Sequence, residues 1–176
     1  AVREYANKFD SFEGESFRID EQSINDSIEM ISSEALNALM MAKVNIEQFH
    51  SLQLPKNNKT INQQGVELGT SWKPLNRVGL YIPGGTAPLV STALMLAIPA
   101  KIAGVREIVA ITPAISVESV NPALLAAFNL CGIREVYSLG GAQGIAALGF
   151  GTESISQVEK IFGPGNQFVD RAKAFV

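Results

Sequence analysis

Val78-Gly79-Leu80-Tyr81-Ile82-Pro83-Gly84-Gly85 is a compact apolar run that stops at a proline and two glycines. It reads as a buried strand at 78–82 entering a glycine turn. A helix is expected from near Pro88, because proline suits a first helical turn that needs no backbone donor. Pro99 should kink or split that helix, and Gly104 should end it. The same grammar then repeats. A second strand is expected at 107–111, and a loop through Pro113 and Ser116 leads to a helix over about 120–130, closed by Gly132. A third strand at 135–139 meets Gly140-Gly141, which open a short Ala-rich helix to about Phe150. A fourth strand at 158–162 meets Gly163-Pro164-Gly165-Asn166, which open a last helix. Four β-α units at a spacing of roughly 25–30 residues imply an α/β fold: a Rossmann-like parallel sheet with helices on both faces.

Upstream of Val78 the pattern changes. Val2 to Phe9 reads as a helix, and Asp20 can cap another, with Ile24, Ile28 and Ile31 on one face. Ser33 could cap a third helix, with Leu36, Leu39, Met40, Val44 and Phe49 as its apolar face and the Met40-Met41 pair in the core. Leu54-Pro55 and the polar run Lys56-Asn57-Asn58-Lys59 look like its exit. Val66, Leu68 and Trp72 then alternate, as in a strand pair or a sharply bent strand, and 74–77 looks like a turn. Two units are expected: a helical segment at 1–77 with a strand or hairpin at its end, part of a domain completed by further sequence, and a Rossmann-like dinucleotide-binding domain at 78–176.

Composition narrows the function classes. The 176 residues are 47% hydrophobic, enough to bury a sizeable core, with a net charge of −3. No Lys/Arg stripe offers phosphate neutralisation, so nucleic acid is not an expected partner. No apolar run reaches membrane-spanning length, so no membrane association is expected. The first residues lack a signal-peptide pattern, and a reducing, cytoplasmic setting is the default expectation. One cysteine, Cys131, and one histidine, His50, do not make a zinc site. Cys131 reads as a small buried residue, and His50 as an ordinary helix-surface or helix-end residue. Both ends of the chain read as helix in progress, as if cut from a longer chain.

Three of the four strands end in glycine-rich turns on the edge where open parallel sheets bind ligands. Glycines admit close backbone approach, and helix starts favour anions such as pyrophosphate. No G-x-G-x-x-G fingerprint and no P-loop is present. The same edge carries Tyr81, Gln143 and Asn166. A ring and two amides suit recognition of ribose hydroxyls, a base edge or a carboxamide, and do not suit proton transfer at neutral pH. Helix capping by Gln143 or Asn166 and simple packing by Tyr81 are the competing readings.

The segments 78–85, 140–143, 146–154 and 160–166, with Arg3-Glu4-Tyr5 and Lys8-Phe9-Asp10 upstream, resemble histidinol dehydrogenases over essentially the whole chain. The resemblance implies a zinc-dependent enzyme that oxidises L-histidinol to L-histidine through the aldehyde, reducing two NAD⁺ as the last stage of histidine biosynthesis. It implies NAD contacts at Tyr81, Gln143 and Asn166, and a homodimer whose active sites combine both subunits. It also implies that the zinc ligands (a Gln, two His and an Asp) and a Glu-His acid/base pair follow the G-P-G-N segment, so no catalytic or metal residue is assigned here. The chain is therefore expected to be an N-terminal, cofactor-side portion, inactive alone. The alternative is a non-catalytic module that binds a dinucleotide or a phosphorylated metabolite.

Overall fold

The computed structural model describes residues 1–84 and 89–176. Three helices come first: α1 (Val2–Asp10), α2 (Glu21–Asp26) and α3 (Ser33–Ser51). An antiparallel hairpin of β1 (Asn58–Ile61) and β2 (Glu67–Thr70) follows. The main sheet then alternates with helices: β3 (Arg77–Tyr81), α4 (Val90–Ile102), β4 (Glu107–Thr112), α5 (Pro122–Leu130), β5 (Glu135–Ser138), α6 (Gly141–Phe150), β6 (Lys160–Phe162) and α7 (Gln167–Lys173). Its order is β5-β4-β3-β6, and every pairing is parallel. This is the α/β, Rossmann-like arrangement expected from the repeated strand–turn–helix pattern.

Side-chain alternation along the strands builds two cores. Val78, Leu80 and Ile82 join Ala110 and Val136 on one face, beneath α2, α4 and α5. Tyr81, Val109, Ile111 and Tyr137 line the other, beneath α1, α6 and α7. Gly79 falls on this second face, where a Cβ would meet the Leu148 side chain at 2.8 Å; the missing side chain lets α6 lie close on the sheet. At the amino end of the strands, Arg77 ties the sheet together. Its guanidinium donates to Glu107 at 2.7 Å and to both Glu135 oxygens at 2.7 and 2.9 Å, joining β3, β4 and β5.

Several expectations need correction. The helix read through Ile31 ends at Asp26, because three-residue turns take over, with the Ser27 carbonyl accepting from Met30 N–H and the Ser27 hydroxyl donating to the Ile24 carbonyl. Ser32, one residue before the expected Ser33, caps α3 by accepting from Ala35 N–H. Met40 and Met41 are exposed, at 43% and 67%, so they are not core: only one stripe of α3, through Leu39, Ala42 and Ile46, packs on the sheet domain. The polar run at 56–59 runs into β1 and is not merely a helix exit. Hydrogen bonds decided that strand without apolar burial, since Asn62 Oδ1 accepts from the Gln64 and Val66 amides and turns the chain. Arg77, read as turn, begins β3. Helix α4 is not split at Pro99, whose lost donor concerns the carbonyl of exposed Met95, four residues back. The expected helix start near Pro88, with Gly85, lies outside the described residues.

Candidate functional site

From β3 the chain winds outward to β4 and β5, then crosses back to place β6 on the other side of β3. The winding therefore reverses between β3 and β6, and in open α/β sheets the crevice beyond the carboxyl ends of such a strand pair is where ligands bind. Tyr81 ends β3, and the 163–166 turn follows β6. The two touch. Gly163 has φ of +134°, and a Cβ there would collide with the Tyr81 carbonyl oxygen. Lys173 of α7 donates to the Gly163 carbonyl and holds the turn from the other side.

A cavity of about 610 Å³ opens on the α1, α6 and α7 side of this edge. Gln143 and Asn166 line it, together with Tyr5, Phe9, Asp10 and Phe168. Two of the three residues singled out from sequence therefore share one wall. Tyr81 lies beneath them, only 4% exposed. Burial pushes its phenol above the ordinary tyrosine range, against a hydrogen bond from the Gly141 backbone amide and with the Asp10 charge adding to the rise. A phenol so placed stays protonated at neutral pH.

Gln143 enters through the first turn of α6 and is nine-tenths buried. Its amide donates to Asp10 Oδ2 at 2.8 Å. Burial raises the Asp10 carboxyl above its ordinary value, against the Gln143 hydrogen bond and one with Gly140. The start of α6 thus already faces an anion from the chain itself. Asn166 caps α7, its Oδ1 accepting from Phe168 and Val169 N–H at 3.0 and 3.1 Å. That satisfies the competing capping reading for its oxygen, while the same residue still lines the cavity. The sequence reading did not place Asp10 in the site. The contact spans 133 positions, and no local spacing carries such a signal.

The other singled-out residues lie elsewhere. His50 is in the last turn of α3, its Nδ1 2.7 Å from Gln53 Oε1. It borders a second, apolar cavity of about 610 Å³ between α3, Trp72 and α4. Cys131 is buried at the end of α5, and burial pushes its thiol up to about 11, against the charges of Lys43 and Lys101. Among the described residues no three His, Cys, Asp or Glu side chains converge as metal ligands. The edge offers a tight glycine turn, two amides, a protonated phenol and exposed rings around a cavity of a size usual for small-molecule sites.

Comparison with known proteins finds relatives in both sequence and fold. The sequence profile of the family described as histidinol dehydrogenase matches residues 1–176. Histidinol dehydrogenase of Mannheimia succiniciproducens is 47% identical over 173 residues, covering 98% of this chain and 40% of that protein. The Streptococcus mutans histidinol dehydrogenase is 46% identical over the whole chain and 41% of its own length. The crystal structure of histidinol dehydrogenase from Elizabethkingia anophelis superposes with a TM-score of 0.93 at 43% identity, over 99% of this chain and 40% of that one. The chain thus spans about two-fifths of the length of the relatives it matches.

Proposed function

Because this chain belongs to the histidinol dehydrogenase family, we propose that it is the cofactor-side portion of an enzyme that oxidises L-histidinol to L-histidine through L-histidinal, using two NAD⁺. The observation that carries this reading is the meeting of Tyr81 and the 163–166 turn at the reversal of the sheet, beside the cavity lined by Gln143 and Asn166. NAD⁺, when bound, supplies the hydride acceptor. Gln143 and Asn166 orient it through their amides, and Tyr81, protonated, acts as a hydrogen-bond donor and a rigid floor. Gly163 keeps the turn against β3 so that the backbone itself can approach the ligand.

The same proposal assigns zinc binding and proton transfer to sequence beyond these residues, and a homodimer to the complete protein. It also retains two units, with the boundary moved ahead of Arg77, which begins β3. Helices α1, α2 and α3 pack on α6, α5 and α4, whereas the β1–β2 hairpin is exposed along both strands and is the part of residues 1–77 that a further domain would cover.

Titration of the complete protein with NAD⁺ tests the site. Tyr81→Ala and Asn166→Ala should each weaken binding by about 1 kcal/mol or more, the worth of a hydrogen bond whose partner is lost. Folded variants with wild-type affinity would reduce those residues to packing and capping. Turnover of histidinol by the complete protein separates the enzyme from the non-catalytic binding module: NAD⁺ binding without any reduction would favour the module.

A further inference from the structure

Lys173 is a cation without a carboxylate partner. It stands half-buried in the last turn of α7, and among the described residues no salt bridge engages it. Its ammonium donates instead to the Gly163 carbonyl, 10 positions back in the chain. It borders a concavity of about 380 Å³ together with Gly149, Glu159 and Lys160. None of the residues lining that concavity also lines the cavity of Gln143 and Asn166. Lys173 thus stands behind the 163–166 turn and acts on that cavity only through the backbone.

The peptide it grips is the one in the turn that has no donor. Pro164 lacks an N–H, so the Gly163–Pro164 unit can present only its carbonyl oxygen. Turned toward the cavity, that oxygen would face the phosphates of a dinucleotide and repel them. Glycine leaves many backbone rotations open, so the backbone of Gly163 does not by itself settle the direction. The other contacts of the turn do not settle it either. The Gly163 Cα lies against the Tyr81 carbonyl, Gly165 lies against the buried Val169 side chain, and Asn166 Oδ1 accepts from the Phe168 and Val169 amides. None of these contacts involves the Gly163 carbonyl, which Lys173 alone holds from outside.

Resting on the reading of this edge as a dinucleotide site, we infer that Lys173 is a positioning residue for it. Its ammonium keeps the Gly163 carbonyl turned away from the cavity, and so keeps the turn open to an anionic ligand.

Titration with NAD⁺ and steady-state kinetics of the complete protein test the assignment. Lys173→Met preserves the unbranched side chain and removes the donor. It should raise the dissociation constant and the KM for NAD⁺ by about fivefold or more, and leave the kcat at saturating NAD⁺ within about twofold, because what is lost is cofactor binding and not chemistry. Lys173→Arg, which restores a cationic donor, should bring the NAD⁺ affinity back to within about twofold of wild type. A packing role alone would lower the urea midpoint without moving the NAD⁺ affinity, and arginine would rescue nothing. If Lys173→Met does not fold, Lys173→Gln, whose amide nitrogen stands one bond closer to the backbone, carries the same expectation. Wild-type NAD⁺ affinity in a folded variant without the donor, or an equal loss in Lys173→Arg, overturns the assignment. If Tyr81→Ala still weakens NAD⁺ in that case, the dinucleotide reading stands and only the role of Lys173 is lost. If Tyr81→Ala also leaves affinity unchanged, both readings go together.

Discussion

At the scale of single residues, Gly163 is the tightest point of the site. Its φ of +134° lies where side-chain-bearing residues are strained, and an added Cβ would strike the Tyr81 carbonyl. Gly163→Ala should therefore destabilise the fold by roughly 3 kcal/mol, combining backbone strain with steric displacement. A urea midpoint within experimental error of wild type would contradict this. Cys131 makes the opposite kind of claim. A buried thiol pushed up to about 11 holds almost no thiolate at neutral pH. The native protein should resist iodoacetamide or a disulfide probe at pH 7.5, and the urea-unfolded chain should react at the rate of a free thiol. Fast native labelling would show that the residue is not sealed under α5.

Elements are held by different forces, and those forces set what could be read in advance. The strands at the centre announce themselves because burial on both faces demands continuous apolar runs, as in 78–82. Helix caps were legible as well: Asp20 and Asn166 accept from first-turn amides as their residue types suggest. The β1–β2 hairpin was half legible. Leu68 gave alternation, but β1 is polar and exposed, formed by backbone pairing and an asparagine turn. Periodicity also overstated the buried face of α3, since it reports a greasy side without saying what covers it. Tyr81, Gln143 and Asn166 could be singled out because each ends or follows a strand; Asp10 could not, because its partner arrives through tertiary packing.

One inter-strand tie gives an element-scale prediction about pH. Burial raises the Glu135 carboxyl, but hydrogen bonds from Arg77 and Tyr137 and the charges of Arg77 and Arg18 outweigh it and hold the group below its ordinary value. Glu135 in turn holds the Arg77 guanidinium above its ordinary value. A carboxylate depressed in the folded state stabilises it above the unfolded value, and that stability is lost as pH falls through the folded value. Asp10, raised by burial, works in the opposite sense. The difference between wild type and Glu135→Gln isolates the tie: the wild type should lead in urea midpoint at pH 7, and the lead should close as the pH falls below the ordinary carboxylate range. A lead that does not change with pH would show that the tie contributes nothing through its charge.

The whole molecule has two unlike sides. The sheet's carboxyl edge is organised around the cavity, whereas α3, the hairpin and Trp72 leave large apolar side chains uncovered. The chain covers about two-fifths of its relatives, and the proposed chemistry needs ligands that these residues do not supply. Residues 1–176 alone should therefore reduce no NAD⁺ with histidinol, with or without added zinc, in an absorbance assay at 340 nm; turnover at a normal dehydrogenase rate would refute the division of labour. The most direct test of the account is a crystal structure of the complete protein with NAD⁺. The dinucleotide should lie across the carboxyl ends of β3 and β6, in contact with Tyr81, Gln143 and Asn166, whereas NAD⁺ bound well away from that edge would overturn the assignment.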